Sequence, residues 1–324
     1  MRLVHKALLG LTLVPALWAY NTPLLRSASG QPPLLLAHRG LAQTFPIAGL
    51  RGDEDTSKRI YPPEHPYLEN TLASMAAAFD AGADLVELDV QRSADGRLAV
   101  FHDATLDYRT DGHGPVRAHT LAALKRLDVG YGYSADGGAT FPFRGQGVGL
   151  MPSLEEVLER FPERAFLIDL KSADPGDGAA LAAVLATLSP EHRARLAAYG
   201  SNPAIEALKR ELPSFRVMSK ATLVTAALAY LAVGWTGYVP EAARGTELHI
   251  PLRYAWLFWG WPRLFTRRMA AADTRVVLVA GEGPWSEGFD TLEALAQVPQ
   301  DFDAVIWTNR IDRIGPRVKQ RQGR

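Results

Sequence analysis

Two carboxylates, Glu87 and Asp89, stand one residue apart in the otherwise apolar stretch "DLVELDVQ". A turn, "SADG", follows, and the next apolar run, "RLAVFHD", closes on His102 and Asp103. An earlier run, "PPLLLAHRG", ends in His38, Arg39 and Gly40, and a later one, "AFLIDLKS", carries Asp169 and Lys171 at its end. Residues two apart on a strand share a face, so Glu87 projects with Asp89, and Asp169 with Lys171. Buried carboxylates require a counter-charge. Lys171 and Arg39 supply part of it, and a hard divalent cation suits three carboxylates better, because Mg²⁺ and Ca²⁺ take oxygen ligands. An imidazole titrates near neutrality, which equips His38 and His102 for proton transfer. Taken singly, each feature is ordinary: strand-end ion pairs, a strand terminus, a turn that satisfies its own backbone. Their common position at the ends of consecutive apolar runs is what points to a site.

The elements that must position these residues alternate regularly. Strand-like runs fall at 34–38, 84–90, 165–171, 195–199, 215–219, 247–250, 275–280 and 304–308, separated by helical segments. "ENTLASMAAAFDAGA" reads as a helix capped by Asn70 or Thr71 and ended by Gly82, and "SLEEVLERFP" as a helix with a Ser153/Glu156 capping box. Further helices are expected at "TLAALKRL", 177–188, 203–211, 221–239, 253–272 and 290–297. Eight β/α units predict a (β/α)₈ TIM barrel with a hairpin and loop insertion after the second strand. A doubly wound open sheet is the alternative, weakened by the lack of a Gly-rich dinucleotide fingerprint after the first strand. In a barrel, chemistry sits at the C-terminal ends of the strands, where these residues lie.

Composition excludes several classes. The 324 residues contain no cysteine, which rules out disulfides, thiolate zinc sites and Cys nucleophiles. Acids and bases balance at 35 each, with no basic stripe to suggest nucleic acid. Arg2 and Lys6 precede the apolar run "ALLGLTLVPALWAY", so residues 1–30 are expected to be a signal peptide or membrane anchor plus linker, and 31–324 the barrel. The chain is thus expected to be exported, periplasmic or membrane-anchored. The apolar segment 221–239 reads as a barrel helix. Segment 254–269, rich in Trp and Phe and carrying Arg263, Arg267 and Arg268 in its second half, reads equally as a packed helix or a membrane-interface element.

The motifs together resemble the glycerophosphodiester phosphodiesterases, which are (β/α)₈ barrels. The resemblance rests on "AHRG" at 37–40, "ENTLASMAAAFDAGADLVELDV" at 69–90, "DGRLAVFHDATLDYRT" at 95–110, "MPSLEEVL" at 151–158 and "LIDLK" at 167–171. It implies His38 and His102 as an acid/base pair and Glu87, Asp89 and Asp169 as ligands of one divalent cation, Ca²⁺ or Mg²⁺. It implies Arg39 and Lys171 as phosphate contacts and Glu69 and Asn70 as supporting residues. Asp169 stands where the family usually has Glu, and Leu68 where it has Pro. The family's Trp-Thr-x-Asn signature belongs on the seventh strand, which here reads "VLVAGEG", while "WTN" falls at 307–309 on the eighth. Glu282 is a candidate entrant to the site.

The implied activity is metal-dependent hydrolysis of glycerophosphodiesters to glycerol 3-phosphate and an alcohol, with water or the neighbouring glycerol hydroxyl as nucleophile. Alternatives are phospholipase D-like cleavage of lysophospholipids at a membrane, with a cyclic phosphate as product, and a non-catalytic membrane-tethered binding protein. The expected partners are a small glycerophosphodiester or lysophospholipid and a membrane surface, with no nucleic acid.

Overall fold

The computed structural model describes Asn21, residues 32–47, Leu50, residues 54–281 and residues 287–322. Apart from Asn21, the expected leader at 1–30 lies outside the described residues, as does Glu282.

Every expected strand forms. Runs of Leu, Val, Ile and Ala become β1 (Leu34–His38), β2 (Leu85–Arg92), β4 (Ala165–Leu170), β5 (Leu196–Gly200), β6 (Val217–Ser219), β7 (Glu247–Pro251), β8 (Arg275–Val279) and β9 (Val305–Thr308). The short β3 (Leu98–Val100) folds back antiparallel on β2, as the "SADG" turn predicts. The other strands run parallel in the order β6-β5-β4-β2-β1-β9-β8-β7. The ends of this path meet where the Thr246 hydroxyl donates to the Val217 carbonyl at 2.5 Å, so the sheet is a nearly closed barrel.

Helices cover the outside. They are α1 (Leu72–Asp80), α2 (Leu154–Arg160), α3 (Pro175–Ala186), α4 (Asn202–Glu211), α5 (Lys220–Val233), α6 (Arg263–Ala271) and α7 (Ile311–Gln322), with shorter turns between. The caps are those the residues dictate. Thr71 and Ser74 close a reciprocal box on α1, and Ser153 and Glu156 close one on α2. Several expected helices are shorter: 221–239 ends at Val233 and 290–297 makes one turn at Leu292–Leu295. "TLAALKRL" makes one turn at Leu121–Leu124, and 253–272 divides into Leu252–Ala255 and α6. The division falls at Gly260 and Pro262, where Pro lacks the amide a continuing helix needs. No helix among the described residues is long and apolar enough to cross a membrane.

Period-2 alternation sorts the strands into an outer and an inner face. Outward residues such as Leu35, Val86, Leu88 and Ile168 pack under the helices. Inward residues near the strand starts form a small apolar plug of Leu36, Leu85, Leu167, Ala197, Val277, Val305 and Trp307. Continuing up the same inner face, the residues turn polar: His38 above Leu36, Glu87 and Asp89 above Leu85, Asp169 above Leu167, Tyr199 above Ala197. The plug therefore forms the apolar floor of the barrel beneath the site.

Candidate active site

Strand register decides which polar side chains meet. His38 pairs with Glu87 across β1 and β2, Asp89 with Asp169 across β2 and β4, and Asp169 with Tyr199 across β4 and β5. Ligand oxygens of Glu87, Asp89 and Asp169 lie within 4.8 Å of one another, and all three residues are buried. This is the convergence that the i, i+2 spacing anticipates.

The cluster is stabilised by cations and amides. Arg39 Nε lies 3.2 Å from Asp89 Oδ2, and its Nη1 donates to Glu69 at 3.2 Å. Lys171 Nζ donates to Asp169 at 3.0 Å and lies 3.5 Å from Asp89 Oδ1. Asn70 binds Asp89 twice: its Nδ2 donates to Oδ2 at 2.8 Å, and its Oδ1 accepts from the Asp89 amide at 3.1 Å. Tyr199 and the Arg39 amide both donate to Glu87. Placing Arg39 and Asn70 this way strains the backbone, since both have positive φ, 56° and 60°. Gly40 follows with φ 79°, and a Cβ there would meet Ser74 Oγ at 2.6 Å, so "AHRG" ends in the residue this turn requires.

Charge is unevenly shared among the acids. Burial, then repulsion from Asp89 and Asp169, pushes the Glu87 carboxyl well above its ordinary range. Burial opposes ionisation of Asp89 too, yet Arg39 and Lys171 outweigh it and hold its carboxyl far below the usual range. Asp89 Oδ1 nonetheless takes no hydrogen bond despite its burial. A buried, unbonded carboxylate oxygen beside two further acids is the arrangement a hard divalent cation satisfies. The donor set fits such an ion.

Each histidine has its own orienting partner. The Asp290 carboxylate only accepts, and it takes Asn309 Nδ2 at 2.8 Å and the Asn309 amide at 2.6 Å. Asn309 Oδ1 is thereby turned to His38, 2.6 Å from Nδ1. His38 Nδ1 must carry the proton, leaving Nε2 as a lone pair that accepts from Arg39 Nε at 3.2 Å. Trp307 packs against the imidazole at 4.9 Å. His102 Nδ1 lies 2.6 Å from Asp103 Oδ1, and Asp103 is in turn paired with Arg109. Burial, followed by the charge of Arg39, lowers the proton affinity of both imidazoles, more strongly for His38. Exchanging Asp290 for Ala is expected to release the Asn309 amide and mix the His38 tautomers. The ¹⁵N shifts of the ring test this, and an unchanged Nδ1–H signal would refute the relay.

His38, Arg39, Glu69, His102, Asp103 and Lys171 all line one cleft of about 1100 Å³ at the C-terminal ends of the strands. Phe45, Ile47, Tyr61, Pro62, Pro63 and Tyr108 line it as well and give it an apolar side. The structure brings the described candidates together: six of them line the cleft, Glu87, Asp89 and Asp169 cluster beside Arg39 and Lys171, and Asn70 holds Asp89, while Glu282 lies outside the described residues. It adds Asn309, Asp290, Arg109 and Tyr199, which the sequence did not single out as site residues. "WTN" was a visible trace of Asn309, but as a displaced signature rather than as the partner of His38.

The sequence model of the glycerophosphoryl diester phosphodiesterase family matches residues 38–180. A Bacillus subtilis glycerophosphodiester phosphodiesterase is 43% identical over 122 residues, covering 36% of this chain and 39% of that protein. One from Caldanaerobacter subterraneus is 33% identical over 138 residues, 43% of this chain and 44% of that protein. The matched stretch thus spans less than half the length of these relatives. Among solved structures, an Agrobacterium tumefaciens glycerophosphodiester phosphodiesterase shares the fold at a TM-score of 0.59 and 24% identity, over 89% of this chain and 99% of that one. An Oleispira antarctica phosphodiesterase, solved with the product sn-glycerol-3-phosphate, does so at 0.56 and 20% identity, over 90% and 98%.

Proposed function

We propose, from the membership of residues 38–180 in the glycerophosphoryl diester phosphodiesterase family, that this chain hydrolyses glycerophosphodiesters to glycerol 3-phosphate and an alcohol. The observation that carries the reading is the buried triad Glu87, Asp89 and Asp169, paired with Arg39 and Lys171, which line one cleft together with the two oriented imidazoles. The product seen in the Oleispira antarctica relative supports the substrate class.

The residues divide the work by their partners. Glu87, Asp89 and Asp169 would hold one Ca²⁺ or Mg²⁺, which supplies Lewis-acid stabilisation of phosphoryl charge. Arg39 and Lys171 border the same space and add positive charge where the phosphate oxygens gain negative charge. His38 has a neutral amide on Nδ1 and Arg39 beside Nε2, so it stays unprotonated and takes the nucleophile's proton. His102 has an ionised carboxylate on Nδ1, which offsets part of the proton affinity that burial and Arg39 remove, so of the two rings it holds its proton to higher pH and takes the role of donor to the leaving alkoxide. Burial alone would raise the Asp103 carboxyl, but Arg109 and His102 keep it ionised.

Chelation is expected to abolish glycerophosphocholine turnover, and added Ca²⁺ or Mg²⁺ to restore it. Unchanged turnover in metal-stripped enzyme would sink the metal reading. The apolar side of the cleft favours a second substrate, a lysophospholipid cleaved at a membrane with release of a cyclic phosphate. Comparing glycerophosphocholine with lysophosphatidylcholine, and reading the product by phosphorus NMR, separates the two reactions.

A further inference from the structure

The barrel carries a second distinctive surface, on the flank formed by α5 and the connection from β7 to α6. Leu228, Trp235, Tyr238, Tyr254, Trp256 and Trp259 are all exposed there, Trp256 at 71% and Leu228 at 63%. The connection is fastened to α5 by two hydrogen bonds: Trp259 Nε1 donates to the Leu231 carbonyl at 2.8 Å, and Tyr230 donates to the Trp259 carbonyl at 2.9 Å. The two segments therefore present one continuous face rather than scattered apolar residues. Contiguous exposed aromatics of this kind mark an interaction surface.

Two observations identify the occupant. The residues are mainly Trp and Tyr, with exposed Lys220 and Arg253 on the same elements and exposed Arg267 on the adjoining α6. Amphipathic rings together with basic side chains suit the headgroup region of an anionic bilayer. Independently, Asn21, which in the sequence directly follows the apolar run 7–20 and the basic Arg2 and Lys6, is held at this face. Asn21 is fixed there: its Nδ2 donates to the Trp235 carbonyl at 2.9 Å, and Arg268 donates to its Oδ1 at 3.1 Å.

We propose that this flank rests on the surface of an anionic lipid bilayer. The proposal does not depend on the reaction.

The absence of cysteine makes the test direct. Nitroxide labels are placed by Leu228→Cys and Trp256→Cys in the full chain, with Val148→Cys, exposed in the loop before α2, as reference. On adding phosphatidylcholine/phosphatidylglycerol vesicles, the labels at 228 and 256 should gain collision with oxygen and lose collision with a water-soluble nickel chelate, while 148 stays unchanged. Labels that stay as wet as the one at 148 would overturn the proposal. Labels already shielded without vesicles would also overturn it, assigning the face to the chain's own first residues or to a second copy. In parallel, Trp256→Glu should weaken vesicle binding about tenfold, the effect of losing one buried aromatic side chain. Undiminished binding would count against the face.

Discussion

Glycerophosphocholine turnover is expected to fall by at least about 10²-fold in His102→Ala, and by a similar factor in His38→Ala. The expectation rests on how differently the two rings are held. Both present Nε2 to the cleft because both Nδ1 positions are occupied, by Asp103 and by Asn309. His102 faces an acceptor that is itself ionised and fixed by Arg109, so it retains a proton more readily. His38 faces a neutral amide, and burial with the nearby Arg39 charge keeps it neutral. A base with lowered proton affinity remains competent as pH falls, so the acidic limb of kcat/KM should lie below the ordinary imidazole value. It should vanish selectively in His38→Ala, while His102→Ala should remove the basic limb. Asp103→Asn should move that basic limb to lower pH, because the imidazolium loses its carboxylate. Full turnover in either alanine variant would exclude the acid/base pair, and limbs assigned the other way round would exchange the two roles.

The parts of this site that were legible in the sequence are those set by local periodicity. Glu87 and Asp89 announce a shared face by their spacing, and the strand on which they sit is written in Leu and Val. The turn at "SADG" is equally local, and with it the return of His102 to the C-terminal end of the barrel. What escaped notice depends on register between distant strands. Asn309 and His38 are 271 residues apart and meet only because β9 lies against β1, with Ala37 opposite Thr308. Asp290 adds a further step, reaching Asn309 from the loop after β8. No spacing rule connects these positions. The expected helix at 253–272 failed for a different reason: its apolar content hid the interruption at Gly260 and Pro262, where backbone chemistry outweighs pattern.

Asp89→Asn is expected to lower turnover by at least about 10²-fold and to remove the thermal stabilisation that a divalent cation gives the wild type. The substitution is nearly isosteric, so it isolates charge from packing. The side-chain oxygen can keep the place of Oδ2, still accepting from Asn70 and Arg39, which turns the amide nitrogen toward Lys171 and the other two acids. That exchanges the unbonded Oδ1 for a donor, repelling a cation and Lys171 alike. In the wild type, a cation at about 100 times its dissociation constant adds about 2.7 kcal/mol. For a chain of this size that is a rise of several degrees in Tm. The effect also has a definite pH dependence. Glu87 must lose its proton to serve as a ligand, and burial with its acidic neighbours has raised its pKa. Proton and cation therefore compete, and the cation-induced stabilisation should shrink with acidification above the ordinary glutamate range. Asp89→Asn removes one of the charges that hold the Glu87 pKa up. A variant that kept both full turnover and the cation-dependent Tm would show that the triad does not bind the metal on which the proposed reaction depends.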